Sequence, residues 1–218
     1  MSGAATLSPT EKVLRECVRP FRQLANRIPR SGNVSLATPP AVAASTIADF
    51  HPHDCTVEPE GIELIKALVR KSQMYSGPII EVGSLLGITT TEMALAKAPE
   101  QHIVAVDNFC WNPWGLSPDT HHALAKQVLH YLIETSNVEL VRVDKNEFFA
   151  NYEGPAPSMV FLDAIHDYEE TKKDIEWAKR VGAKIISGHD YCDKFPGVIQ
   201  IVDEHGGPRL LRGSVWAL

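Results

Sequence analysis

At 218 residues the chain can bury one sizeable α/β core with an appendage, and it is short for two domains. A formal charge of −6 with no basic cluster argues against nucleic acid as a partner, and no apolar run reaches membrane-spanning length. Cys17, Cys55, Cys110 and Cys192 lie far apart without a C-x-x-C pair, which suits reduced thiols; with no signal-peptide core and with Glu11 and Glu16 opposing a transit peptide, a soluble cytoplasmic protein is expected.

In chain order, Ser8-Pro9-Thr10-Glu11 is a helix start, with Ser8 as cap, Pro9 at the first helical position and Glu11 closing a capping box. An apolar stripe follows through Leu14, Val18, Phe21, Leu24 and Ile28, and Pro20 should kink the helix against the carbonyl of Glu16. Residues 29–59, rich in Pro, Ala, Ser and Thr, read as a covering loop, so that 1–59 form an N-terminal helical cover and 60–218 the main domain. His51-Pro-His53-Asp54-Cys55 looks like a metal cluster, but its proline-rich setting favours ordinary loop chemistry. A helix near 59–74 carries Ile62, Ile65, Leu68 and Val69 on one face. Beyond it, strands are predicted near 78–82, 102–107, 138–143, 158–162, 183–188, 208–212 and 214–218, with helices near 88–98, 118–135, 145–151, 167–180 and 196–205. Such alternation implies right-handed crossovers. The fold expected is a doubly wound, Rossmann-like, seven-stranded, mostly parallel sheet with helices on both faces. The hairpin at Gly213 forces the final strand to run antiparallel.

Two constellations carry chemistry. In the first, Glu81-Val-Gly83-Ser84-Leu-Leu-Gly87 joins an apolar strand to a helix, which is how an α/β sheet builds a nucleotide pocket. Gly83 lets the backbone turn tightly and approach a ligand, and Gly87 lets the helix pack close to the sheet. The pattern lacks the first glycine of a dinucleotide fingerprint and has a carboxylate there, which suits a cationic ligand and repels a pyrophosphate. Asp107 ends the next strand, 20 residues after Gly87, where it can accept from both ribose hydroxyls of an adenosine ligand. The aromatic run Asn108-Phe-Cys-Trp111-Asn-Pro-Trp114 reads equally as a substrate wall or as packing against the N-terminal segment.

In the second, Asp163-Ala-Ile-His166-Asp167 follows an apolar strand, and His189-Asp190-Tyr191 follows the next. Asp167 and Glu170 form a capping pair for a helix whose apolar stripe is Tyr168, Thr171, Ile175 and Ala178. Adjacent strands bring Asp163 and Asp190 together, and converging carboxylates call for a cation between them. His189 is a further ligand candidate. His166, just before the helix start, is either a base or a plain helix-start residue.

These residues resemble the class I S-adenosylmethionine-dependent methyltransferases, over roughly 60–218. The matching pieces are Glu81-x-Gly83-x-x-x-Gly87, Asp107, Val143-Asp144, Phe161-Leu-Asp163-x-x-His166 and Gly188-His-Asp190-Tyr191. The stretch from Asp163 to Glu204 is similar to the small metal-dependent O-methyltransferases related to macrolide-sugar and cephalosporin-hydroxylase-like enzymes. The resemblance implies a donor site of Glu81, Gly83, Ser84, Gly87, Asp107, Asn108, Asp144 and Asp163, with Asp144 accepting from the adenine amino group. It further implies magnesium held by Asp163 with positions 189 and 190, and His166 as general base. This chain departs from the family in carrying His189 where the sugar enzymes often have Glu, and Tyr191 where catechol-type enzymes have Asn. A nitrogen ligand shifts metal preference from magnesium towards manganese, iron, nickel or zinc. The activity expected is methyl transfer to a hydroxyl of a small molecule. The rivals are a nicotinamide oxidoreductase, a hydroxylase-like enzyme on the same fold, and a methyltransferase-like binding subunit without turnover. Residues 1–59 have two readings, a cover over the site or a homodimer interface.

Overall fold

The computed structural model describes residues 57–218. The expected N-terminal helix, residues 29–56 of the expected 29–59 loop, the His51–Cys55 cluster and Cys17 lie outside them. The elements are α1 (Pro59–Ser72), β1 (Ile79–Val82), α2 (Ile88–Ala96), β2 (Ile103–Asp107), α3 (Pro118–Thr135), β3 (Val138–Arg142), α4 (Lys145–Asn151), β4 (Met159–Leu162), α5 (Tyr168–Arg180), β5 (Ile186–Gly188), α6 (Pro196–Glu204), β6 (Leu210–Arg212) and β7 (Val215–Ala217). Seven strands form one sheet in the order β3-β2-β1-β4-β5-β7-β6. The first five run parallel, and β7 is antiparallel to both β5 and β6. The final strand thus runs as the Gly213 hairpin required.

The central strands are buried on both faces, because helices cover both. Ile80, Val82, Val104, Val106, Val160, Leu162 and Ile186 pack in one cluster with α5 and α6 residues such as Ile175, Trp177 and Ile201. Ile79, Ile103, Met159 and Phe161 join the α1 residues Leu64, Ile65, Leu68 and Val69 in the other. This is the period-2 alternation of a strand made visible. By that alternation Glu81 stands on the Ile79 face, level with the apolar residues Ala105 and Phe161 of the flanking strands.

Two sequence expectations need correction here. The stripe of α5 includes Asp174 and Trp177, both buried, beside Thr171, Ile175 and Ala178. Trp177 stacks on Phe149 of α4 with ring centroids 4.1 Å apart. Asp167 does cap α5, its carboxylate accepting from Glu170 N–H at 2.8 Å. The Glu170 side chain does not reach back to close the box. It pairs with Lys173 and, at 3.0 Å, with Lys145. Lys145 is buried and also pairs with Asp174, and a buried ammonium needs carboxylates more than a helix start needs a second cap. This ion cluster fastens α4 to α5. Among the described residues, no helix is long and apolar enough to cross a membrane.

Candidate active site

The sheet order reverses between β2-β1 and β4-β5, and ligands of open α/β sheets bind at that switch point beyond the carboxyl ends of the strands. Val82 is level with Val106 and with Leu162, and Leu162 with Gly188. The residues that follow, Gly83, Asp107, Asp163 and His189, therefore share one edge. A separate cleft of about 450 Å³, lined by Tyr75, Ser76, Gly77, His102 and Pro155, opens at the opposite edge.

The β1 turn behaves as its glycines require, for reasons partly different from those expected. Gly83 has φ of +93°, and a side chain there would collide with the backbone of Asp163 and Ala164. The close approach is between the β1 and β4 ends. Gly87, with φ of +80°, lies against the Leu129 side chain, so it makes room for α3 and not for the sheet. Glu81 is completely buried, and Thr90 of α2 donates to its Oε2 while Oε1 has no partner. Ser84 Oγ, also buried, is likewise unpartnered. Burial pushes the Glu81 carboxyl up to about 8, the Thr90 bond opposing and the charges of Asp163 and Asp107 adding to it. In the ligand-free protein it is therefore largely protonated at neutral pH. An acid raised in this way stabilises the fold fully below its unfolded value near 4.5, and that contribution is lost as pH rises through about 8. Denaturant titrations across this window should show falling stability in the wild type and a flatter profile in Glu81→Gln.

Asp107 is half-buried, and its two oxygens accept from Leu85 N–H at 2.8 Å and Phe109 N–H at 2.6 Å. It braces the glycine turn and the loop after β2 with one carboxylate. Each oxygen keeps a further lone pair for a ligand hydroxyl. Asn108 is exposed and accepts from Cys110 N–H. Asp144 is exposed and caps α4, accepting from Asn146 N–H at 2.9 Å. In the 108–115 loop, Phe109 is buried against the rings of His121 and His122, whereas Trp111 is exposed.

Around β4 and β5 the structure brings together what the sequence placed at separate strand ends. One ligand atom each from Asp163, His189 and Asp190 lies within 4.8 Å of the others. His189 Nδ1 faces Asp163 Oδ1 at 3.4 Å and Asp190 Oδ1 at 3.7 Å. Asp190 turns its other oxygen to His166 Nε2 at 3.1 Å. Its φ of +61° is a left-handed conformation that aspartate tolerates better than most residues. The His166 ring lies 4.7 Å from that of Phe195. Burial favours neutral His189, but the bond to Asp163, the charges of Asp163 and Asp190 and the bond to Glu58 outweigh it and push the imidazole up to about 10. Burial pushes Asp190 up, with His189 and His166 opposing. Two carboxylates and an imidazole nitrogen converging in this way fit a divalent cation. Sequence reasoning missed Glu58, whose carboxylate meets His189 Nε2 at 3.1 Å, and Phe195.

No family model and no curated protein matches the sequence. Solved structures do. The cofactor-bound Rv0187 protein from MTB is 20% identical, with a TM-score of 0.56 over 86% of this chain and 84% of its own. An O-methyltransferase from Bacillus cereus in complex with SAH is 18% identical, with a TM-score of 0.53 over 75% of this chain and 76% of its own. The O-methyltransferase TomG from Streptomyces achromogenes, involved in tomaymycin synthesis and solved with SAM, is 20% identical, with a TM-score of 0.53 over 69% and 70%. With their likeness added to the strand order and the strand-end glycine turn, the chain has the class I S-adenosylmethionine-dependent methyltransferase fold.

Proposed function

We propose that this protein transfers a methyl group from S-adenosylmethionine to a hydroxyl of a small molecule, with a divalent ion held by Asp163, His189 and Asp190. The observation that carries the reading is a pair of complementary half-sites at one switch point. Beyond β1 lie a buried Glu81 with an unpartnered oxygen, an unpartnered Ser84 hydroxyl and the Gly83 turn. Beyond β4 and β5 lie the converging Asp163, His189 and Asp190 side chains and His166. The unpartnered Glu81 oxygen suits an ammonium group, as the donor's methionine end provides, and Asp107 retains acceptor capacity for its ribose.

When bound, the donor would supply an electrophilic methyl on a sulfonium, and an ion held by Asp163, His189 and Asp190 would polarise the acceptor hydroxyl. The protein's own residues orient and deprotonate. Donor and acceptor must be held for in-line displacement, so the rigidity of the strand ends matters. His166, whose Nε2 lies 3.1 Å from an Asp190 oxygen, would take the acceptor proton. Transfer would form the bond from the methyl to the acceptor oxygen and break the bond to sulfur, leaving a neutral thioether.

Calorimetric titration with S-adenosylmethionine and with NAD separates this reading from a nicotinamide enzyme. Turnover of labelled methyl donor separates it from a binding subunit. Asp107→Ala should weaken donor binding by about 1–3 kcal/mol, the range for a lost hydrogen bond to a charged group. Unchanged affinity in a folded variant would remove Asp107 from the donor site.

A further inference from the structure

Glu58 is the N-cap residue of α1, yet its side chain makes no capping hydrogen bond to its own helix. The carboxylate instead reaches the β6–β7 turn. Its Oε1 accepts from Ser214 N–H and, at 3.2 Å, from Ser214 Oγ. A side chain at Gly213 would collide with Glu58, so the turn is shaped around this carboxylate. Its Oε2 lies 3.1 Å from His189 Nε2, the ring nitrogen facing away from Asp163 and Asp190. The same hairpin grips the histidine's backbone. Trp216 Nε1 donates to His189 O at 3.0 Å, and Tyr191 N–H to Ser214 O at 3.0 Å. His189 is thereby fixed in main chain and ring, and only Nδ1 is left toward the two aspartates.

We propose that Glu58 is a positioning residue that holds His189 Nε2–H through a cradle at Ser214, so that His189 offers Nδ1 to a divalent ion as its nitrogen ligand. The proposal rests on the metal-assisted reading above and names the residue that sets its ligand geometry. Metal-ligating histidines characteristically donate their second N–H to a carboxylate, which fixes the tautomer and raises ligand basicity. Loss of such a partner typically costs about 10–100-fold in metal affinity. The ligand set is then two carboxylate oxygens and one nitrogen, a set that favours manganese over magnesium.

The experiment is calorimetric titration of the full-length, metal-stripped protein with Mn²⁺ and separately with Mg²⁺, in wild type, Glu58→Ala, Glu58→Gln and Asp163→Ala. Glu58→Ala should bind Mn²⁺ about 10–100-fold more weakly, with donor affinity unchanged. Glu58→Gln, whose amide oxygen can still accept from Nε2–H, should recover most of the loss. Asp163→Ala should abolish binding. Equal Mn²⁺ affinity in wild type and folded Glu58→Ala overturns the proposal. Absence of any ion binding by the wild type overturns the metal reading instead. The ¹⁵N spectrum of His189 then still decides on Glu58: a protected Nε2–H present in wild type and lost in Glu58→Ala supports the positioning, and the same signal in both overturns it. If Glu58→Ala does not fold, Glu58→Gln and Ser214→Ala carry the comparison. Weaker Mn²⁺ binding in Ser214→Ala supports the cradle, and wild-type affinity in Ser214→Ala overturns it.

Discussion

His166→Gln should lower turnover by about 10²–10⁴-fold, the usual cost of losing a positioned base, with donor affinity and folding unchanged. Glutamine keeps a neutral polar group near Asp190 Oδ2, which lies 3.1 Å from His166 Nε2, but it cannot act as a base. Histidine at a helix start with a purely structural role predicts another outcome: a small stability loss, through the Phe195 contact and the Asp190 pair, with normal turnover per folded molecule. The pH–rate profile separates the two. A base gives an acidic limb in the wild type that disappears in the variant. Persistence of that limb in His166→Gln assigns deprotonation to another group.

What the sequence made legible was the order of elements and the strand-end positions. Apolar runs of strand length, alternating with helical stripes, placed the strands and helices of the described residues correctly. The rule that parallel sheets work at their carboxyl edge then put Glu81, Asp107, Asp163, His166, His189 and Asp190 together. All six stand in or just after a strand, so one topological rule reached all of them. Glu58 escaped because it stands 131 residues from His189 and ahead of a helix start, where an acidic side chain is expected to serve its own helix. Its true partners lie on a hairpin, and nothing in the local pattern gives the register between α1 and that turn. Asp174 and Trp177 escaped for a related reason. A charged residue inside an amphipathic helix reads as solvent-facing until the buried Lys145 on another helix supplies its partner. The second duties of Asp107 and Asp144, as a backbone brace and as a cap, are local hydrogen bonds superimposed on strand-end positions. The pattern marks such positions without showing how the lone pairs divide.

Exhaustive chelation should abolish turnover, by at least about 10³-fold if the ion supplies several kcal/mol of charge stabilisation, while S-adenosylmethionine binding stays largely intact. The separation is expected because Glu81, Ser84 and Asp107 lie beyond β1 and β2, whereas Asp163, His189 and Asp190 lie beyond β4 and β5. Restoration by magnesium favours oxygen ligands and water around the ion, with His189 outside the set. Preferential restoration by manganese, iron, nickel or zinc assigns His189 Nδ1 to it. The protonation of His189 gives the result a pH signature. With its imidazole pushed up to about 10 by Asp163, Asp190 and Glu58 against the effect of burial, the histidine carries a proton at neutral pH that an incoming ion must displace. Apparent metal affinity should therefore rise with pH through the neutral range, and His189→Ala should flatten that dependence while weakening binding. Full activity after chelation would exclude the ion from the reaction. Asp163, His189 and Asp190 would then form an ion cluster in which the imidazolium is the cation between the two carboxylates, and its contribution would be to hold Asp190 in place for His166.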